Sequence, residues 1–192
     1  MEENYLVSAV KQFQYYKSLG ERTFEQVEEA ALFWKPDEEA NSIAVIVNHL
    51  WGNMKSRWTD FLTSDGEKTW RQRDSEFEDL IENKKQLLEK WEDGWSCLFT
   101  ALDAVNSDNF DTTIYIRNQG HTIVEAINRQ LCHYAYHIGQ IVFIGRMLQG
   151  TEWSSLSIAK GKSASYNKEK FSKEKHRSHF TDEFLDTDTP GN

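Results

Sequence analysis

An all-α fold, a four-helix bundle, is what this sequence predicts, and three observations predict it. Four long stretches carry apolar residues three and four apart, the spacing of one buried helix face. The 192 residues include only 2 prolines, so little interrupts a helix. Polar and turn-forming segments separate the stretches, with the longer ones after the second and third.

The first helix is predicted over about residues 4–30, through Leu6, Val10, Phe13, Tyr16, Phe24 and Val27, with Gly20 inside it. Lys35-Pro36-Asp37 breaks the chain, because proline drives its predecessor toward extended backbone. The second helix runs from Ser42, a plausible N-cap, to Leu62, and Thr63-Ser64-Asp65-Gly66 ends it with turn chemistry. A charged loop over 66–76 follows. The third helix is expected over 75–104, burying Phe77, Leu80, Ile81, Leu87, Trp91 and Trp95 among others. Thr112-Thr113-Ile114-Tyr115-Ile116 is β-prone but short, an extended connection or a small hairpin element. The fourth helix spans about Thr122 to Leu148, and Gly150 stops it.

Residues 1–150 therefore form the bundle and 151–192 a C-terminal extension. The extension has a basic stretch from Lys160 to Arg177 and an acidic end from Asp182 to Asp188, and it reads as a partly flexible tail.

Net charge is −9, from 22 basic and 31 acidic residues. Residues 1–150 hold the whole imbalance, and such a body repels phosphates, so nucleic acid is excluded as a partner. No apolar run approaches the roughly 20 residues that span a bilayer, which argues against a membrane partner. Cys97 and Cys132 are the only cysteines, which fits a reducing, cytoplasmic setting better than a disulfide scaffold. Cys132 reads as a small buried hydrophobe, and His121 as a polar residue at the start of the fourth helix. His176 and His179 read as exposed tail residues.

The chemistry lies in His133 and His137, four apart on the fourth helix, whose imidazoles project from one face and can share a cation. A lone HxxxH arises by chance in many helices. His49, set in the apolar stretch from Ile43 to Trp51, supplies a third candidate ligand. The second helix carries the ladder Val45, His49, Asn53, Arg57, and the fourth presents Arg129, His133, Tyr136, His137 and Gln140 on one broad face. Packing these faces together brings three imidazoles to one point. Three histidines leave coordination positions open, as in a catalytic rather than a structural metal site. Asn53, Tyr136 and Gln140 are candidates for orienting ligands or substrate, and Arg57 and Arg129 for holding an anionic group. No carboxylate stands beside the histidines on the wheel, Glu125 lying about 80° from His133.

At these residues the chain resembles the DinB-like superfamily, and within it a subfamily of uncharacterised bacterial proteins mostly from bacilli. The resemblance runs through Val47-Asn48-His49-Leu50-Trp51-Gly52-Asn53-Met54, the stretch Arg57 to Lys68, Asn128-Arg129-Gln130-Leu131, His133 to Ile141, and Ser155-Leu156-Ser157-Ile158 before Gly161-Lys162-Ser163. It covers most of residues 5–165. Ala159 stands where that subfamily often has proline. The superfamily motif of one histidine on the second helix and an HxxxH pair on the fourth falls on His49, His133 and His137.

The resemblance implies an up-down-down-up bundle, often a homodimer, holding a divalent metal ion, nickel or zinc. It also implies a low-molecular-weight thiol such as bacillithiol or mycothiol as co-substrate. A thiol S-transferase acting on a small electrophilic substrate is the function so expected. A metal-dependent hydrolase and a non-catalytic, stress-related metal-binding scaffold are the rivals.

Overall fold

The computed structural model describes residues 2–185. Among them the chain is mostly helical, with seven α-helices and one two-stranded sheet. Four helices are long: α1 (Glu2–Gln26), α3 (Ile43–Trp58), α4 (Lys84–Asp103) and α5 (Ile123–Gln149), while α2 (Glu29–Leu32) is a single turn. None of the described helices is long and apolar enough to cross a membrane.

Local chemistry sets the starts of three of the long helices. The Ser42 hydroxyl accepts from the Val45 N–H at 3.1 Å, so Ser42 is the N-cap the sequence predicts. Asn83 caps α4 in the same way through the Gln86 N–H, and Thr122 and Glu125 cap α5 reciprocally. α1 stops at Gln26, earlier than predicted, because Glu28 takes extended backbone (φ −67°, ψ 154°) before α2.

The third helix departs most from expectation. It starts at Lys84, not at 75: residues 74–77 make one 3₁₀ turn, and 78–83 are not helical. Phe77, Leu80 and Ile81 have helical spacing, but Leu80 is 52 % exposed while Ile81 is buried. Their periodicity imitates a helix face that does not exist. The β-prone segment resolves as a hairpin, β1 (Thr113–Ile116) against β2 (Gln119–Thr122), which places His121 on β2, one residue before the N-cap of α5. Arg117 and Asn118 turn it with φ of 56° and 60°, and both donate their N–H to the Asp65 carboxylate at 2.8 Å.

Contacts reveal how the long helices run. Trp51 donates to Asp93 and Thr59 meets Cys97, so α3 and α4 are parallel. The Tyr5 hydroxyl donates to the Val124 carbonyl near both helix starts, and Thr23 packs at Gly145 near both ends, so α1 and α5 are parallel too. Phe13 meets Trp95 and Phe24 meets Trp91, which sets α1 against α4. The core between them is aromatic. Phe24, Trp91, Trp95, Phe13 and Tyr134 pass edge contacts along the molecule at centroid distances of 5.0–6.4 Å.

The C-terminal segment lies against α1. It adds α6 (Ser163–Phe171) and α7 (Asp182–Leu185). Asp182 pairs with Lys11 at 2.5 Å, and the Tyr15 ring meets Phe180 and Phe184. His179, expected to be exposed, is half-buried, bonded to the hydroxyls of Ser8 (3.0 Å) and Thr181 (2.7 Å). Residues 186–188 of the acidic end lie outside the described residues.

Candidate metal centre

α3 is buried almost all round, so a histidine on it has no route to water and must find partners inside. His49 finds them on both sides of its ring. Its Nε2 stands 3.2 Å from Nε2 of His133, which in turn stands 3.1 Å from Nε2 of His137. Its Nδ1 stands 2.9 Å from Oε2 of Glu76, and its ring stacks on Phe77 at 4.6 Å. His137 repeats the pattern, Nδ1 against Oε1 of Gln140 at 2.8 Å.

These outer partners decide the tautomers. Ionised Glu76 and the Gln140 carbonyl oxygen only accept, so Nδ1 of His49 and of His137 carries the proton and each Nε2 presents a lone pair. His133 can donate one proton to one of them, never to both. Three ring nitrogens aimed at one point, with at most one proton between them, form a donor set for a cation. Two such nitrogens at about 2.0–2.1 Å from one ion, at angles between square and tetrahedral, stand about 2.9–3.4 Å apart. The 3.1 and 3.2 Å separations from His133 fall in that range, and all three donor atoms lie within 4.8 Å of one another. The three histidines can therefore hold a divalent metal ion.

Burial and mutual repulsion keep His133 and His137 neutral. Burial, then the neighbouring His137 and His49, push His133 down from 6.5 to about 3. Burial and His49 push His137 down to about 4. An unfolded chain takes up these protons near pH 6.5, whereas the folded one resists until about pH 3–4. The contribution of these two groups to the stability of the metal-free protein is therefore fully present above pH 6.5 and falls as the pH drops below it. Urea midpoints between pH 7.5 and 4.5 should show wild type losing more than a His133→Ala, His137→Ala variant, and identical profiles would contradict the assignment.

The remaining predicted residues divide. Asn53 is buried beside the site, where its Oδ1 accepts from the Tyr134 hydroxyl at 3.1 Å. Gln140 bonds His137 and also donates to the Tyr136 hydroxyl at 3.3 Å. Tyr136 is 63 % exposed, with its ring 4.9 Å from His137, so it borders the cluster at the surface. Arg57 is buried with its guanidinium engaged by the Gly66 carbonyl and by Glu67 (3.0 Å). Arg129 is exposed and does not join the cluster. Cys132 is exposed, contrary to the buried role expected of it, because the face of α5 that carries it turns away from the core.

Sequence reasoning missed Glu76, Arg71 and Phe77. The helical wheel offered no carboxylate beside the histidines, and Glu125 is spent on the α5 cap. The carboxylate comes instead from the 3₁₀ turn after the charged loop. Its oxygens accept from Arg71 Nε at 2.6 Å and Nη2 at 2.8 Å. Burial alone would raise the Glu76 carboxyl, but the bonds from His49 and Arg71 outweigh it and hold it below the usual range. One signal was legible: Arg57 and Arg71, if buried, require nearby acids, and Glu67 and Glu76 are in reach along the chain.

A family model described as Protein of unknown function (DUF1572) matches residues 1–162. No curated protein matches the chain, and no solved structure matches it.

Proposed function

The chain belongs to the DUF1572 family, and on that premise we propose a metal-dependent enzyme, a thiol S-transferase acting on small electrophiles. The observation that carries the reading is the convergence of three lone-pair nitrogens in a setting where the outer nitrogens of His49 and His137 are already pinned. We read the fold as a DinB-type bundle of up-down-down-up order, supported by the two parallel helix pairs. Nickel or zinc suits three imidazoles.

Held by His49, His133 and His137, a divalent ion would lower the pKa of a bound thiol or water and so supply a nucleophile near neutral pH. The protein's own residues do the rest. Glu76 and Gln140 keep the imidazoles oriented, and half-exposed His133 marks the side open to small molecules. Tyr136, tethered by Gln140 at that edge, is placed to contact the substrate. Exposed Arg129, one turn before His133, is the candidate for an anionic group, since Arg57 is already engaged.

Glu76 bonds the outer side of His49, so it is not placed as a general base for hydrolysis, which favours thiol transfer over a hydrolase. The test is consumption of an aryl halide or epoxide by nickel- or zinc-loaded protein, with and without bacillithiol. Turnover needing both metal and thiol is expected. Turnover without thiol would establish the hydrolase, and none under any condition the scaffold.

A homodimer is proposed with this reading. The exposed stripe of Tyr136, Phe143 (68 %) and Met147 (48 %) on α5 supports it, as does its place beside the site.

A further inference from the structure

Three independent devices converge on one side chain that touches neither substrate nor ion. The first is Gly52: a Cβ there would stand 2.5 Å from Glu76 Oε1, so the α3 backbone makes way for the carboxylate. The second is Asn48, whose side-chain amide donates to the carbonyls of Ser75 (3.3 Å) and Glu76 (3.1 Å) and pins the turn onto the helix. The third is Arg71, whose side chain is 2 % exposed and whose Nε and Nη2 grip both carboxylate oxygens. Arg71 is itself held through Glu67 (3.1 Å), which also binds Arg57 (3.0 Å) and Arg117 (3.3 Å).

We infer that Glu76, gripped by Arg71, is the positioning residue that sets the affinity of the three-histidine centre for a divalent cation. The inference rests on the metal reading above and deepens it. The argument runs through what a forked guanidinium does to a carboxylate. Both oxygens accept from Arg71, so the carboxylate is fixed in place with Oε2 turned to accept from His49 Nδ1. His49 therefore keeps its N–H toward an anion, its Nε2 becomes a stronger donor, and its ring cannot swing away. A buried ion pair merely holding the 70–77 turn would need the fork but not the His49 bond. The observed geometry spends one carboxylate oxygen on both.

The test is a chelator-competition titration with zinc alone and with nickel alone. It compares wild type, Glu76→Gln, and the double variant Glu76→Gln, Arg71→Met, which leaves no lone buried charge. The expected result is affinity about 10–100-fold weaker in both variants, with helix content unchanged by circular dichroism. A folded variant whose affinity stays within twofold of wild type overturns the inference. Should both variants fail to fold, wild type itself decides, by nitrogen-15 NMR of the His49 ring in the zinc-loaded protein. Coordination through Nε2 with a retained, strongly hydrogen-bonded Nδ1–H is required, and loss of that proton or coordination through Nδ1 overturns it. Absence of binding by wild type would instead overturn the metal reading, so the two failures are distinct.

Discussion

Replacing His133 by alanine is expected to reduce the metal content of the purified protein from near one ion per chain to near zero. Among the three ligands His133 is the one whose Nε2 lies within 3.2 Å of both others, so its loss leaves two imidazoles facing an opening. The affinity loss should exceed the roughly 10–100-fold typical of an outer partner, because a coordinating atom is removed. The fold should survive. His133 is half-buried, and among the described residues its side chain bonds to the other two imidazoles. Its burial as a neutral base already costs stability at acid pH. Plasma mass spectrometry on tag-free protein, before and after incubation with nickel or zinc, checks this. Wild-type metal content in the variant would remove the foundation of the proposed chemistry.

The second large effect is on stability, at Trp91. This indole is 2 % exposed, meets Phe24 at 5.0 Å and Trp95 at 5.5 Å, and lies where a Cβ on Gly20 would stand only 2.5 Å from its ring. Gly20 in mid-helix is thus explained by the ring that presses on it, not by any turn. Trp91→Ala opens a large cavity between α1 and α4 and should destabilise by about 3–5 kcal/mol. For a chain of this size that lowers Tm by roughly 6–20 °C. Calorimetry on the metal-free protein measures it, and a shift under 3 °C would mean that the α1–α4 contact is not the core described.

How far the sequence carries a reader can be judged from particular residues. His49, His133 and His137 were legible because helical periodicity is a local property and places side chains on known faces. Ser42 was legible because capping needs only neighbouring atoms. The turn at 74–77 was not, because Phe77, Leu80 and Ile81 repeat as a helix would and only long-range partners distinguish the cases. Glu76 was lost with it. Arg57 looked like an anion binder until its partners, the Gly66 carbonyl and Glu67, supplied the acceptors. The broad face on α5 was overdrawn for a related reason. A wheel shows which side chains share a direction, but where the neighbouring helices end decides which of them meet anything, and exposed Arg129 does not join the cluster.

The two parallel helix pairs bear on how the chain is made. α1 is synthesised before α5, and the Tyr5 contact it makes at Val124 and Asn128 lies 119–123 residues downstream. Synthesis at about 5–20 residues per second delays that partner by roughly 6–25 s. Until α4 follows, Phe13 and Phe24 lack their contacts with Trp95 and Trp91, and until α5 follows Phe13 lacks its contact with Tyr134. α1 thus waits on the ribosome for its partner helix, and the histidine cluster, whose halves lie 84 residues apart, closes only once α5 has been made.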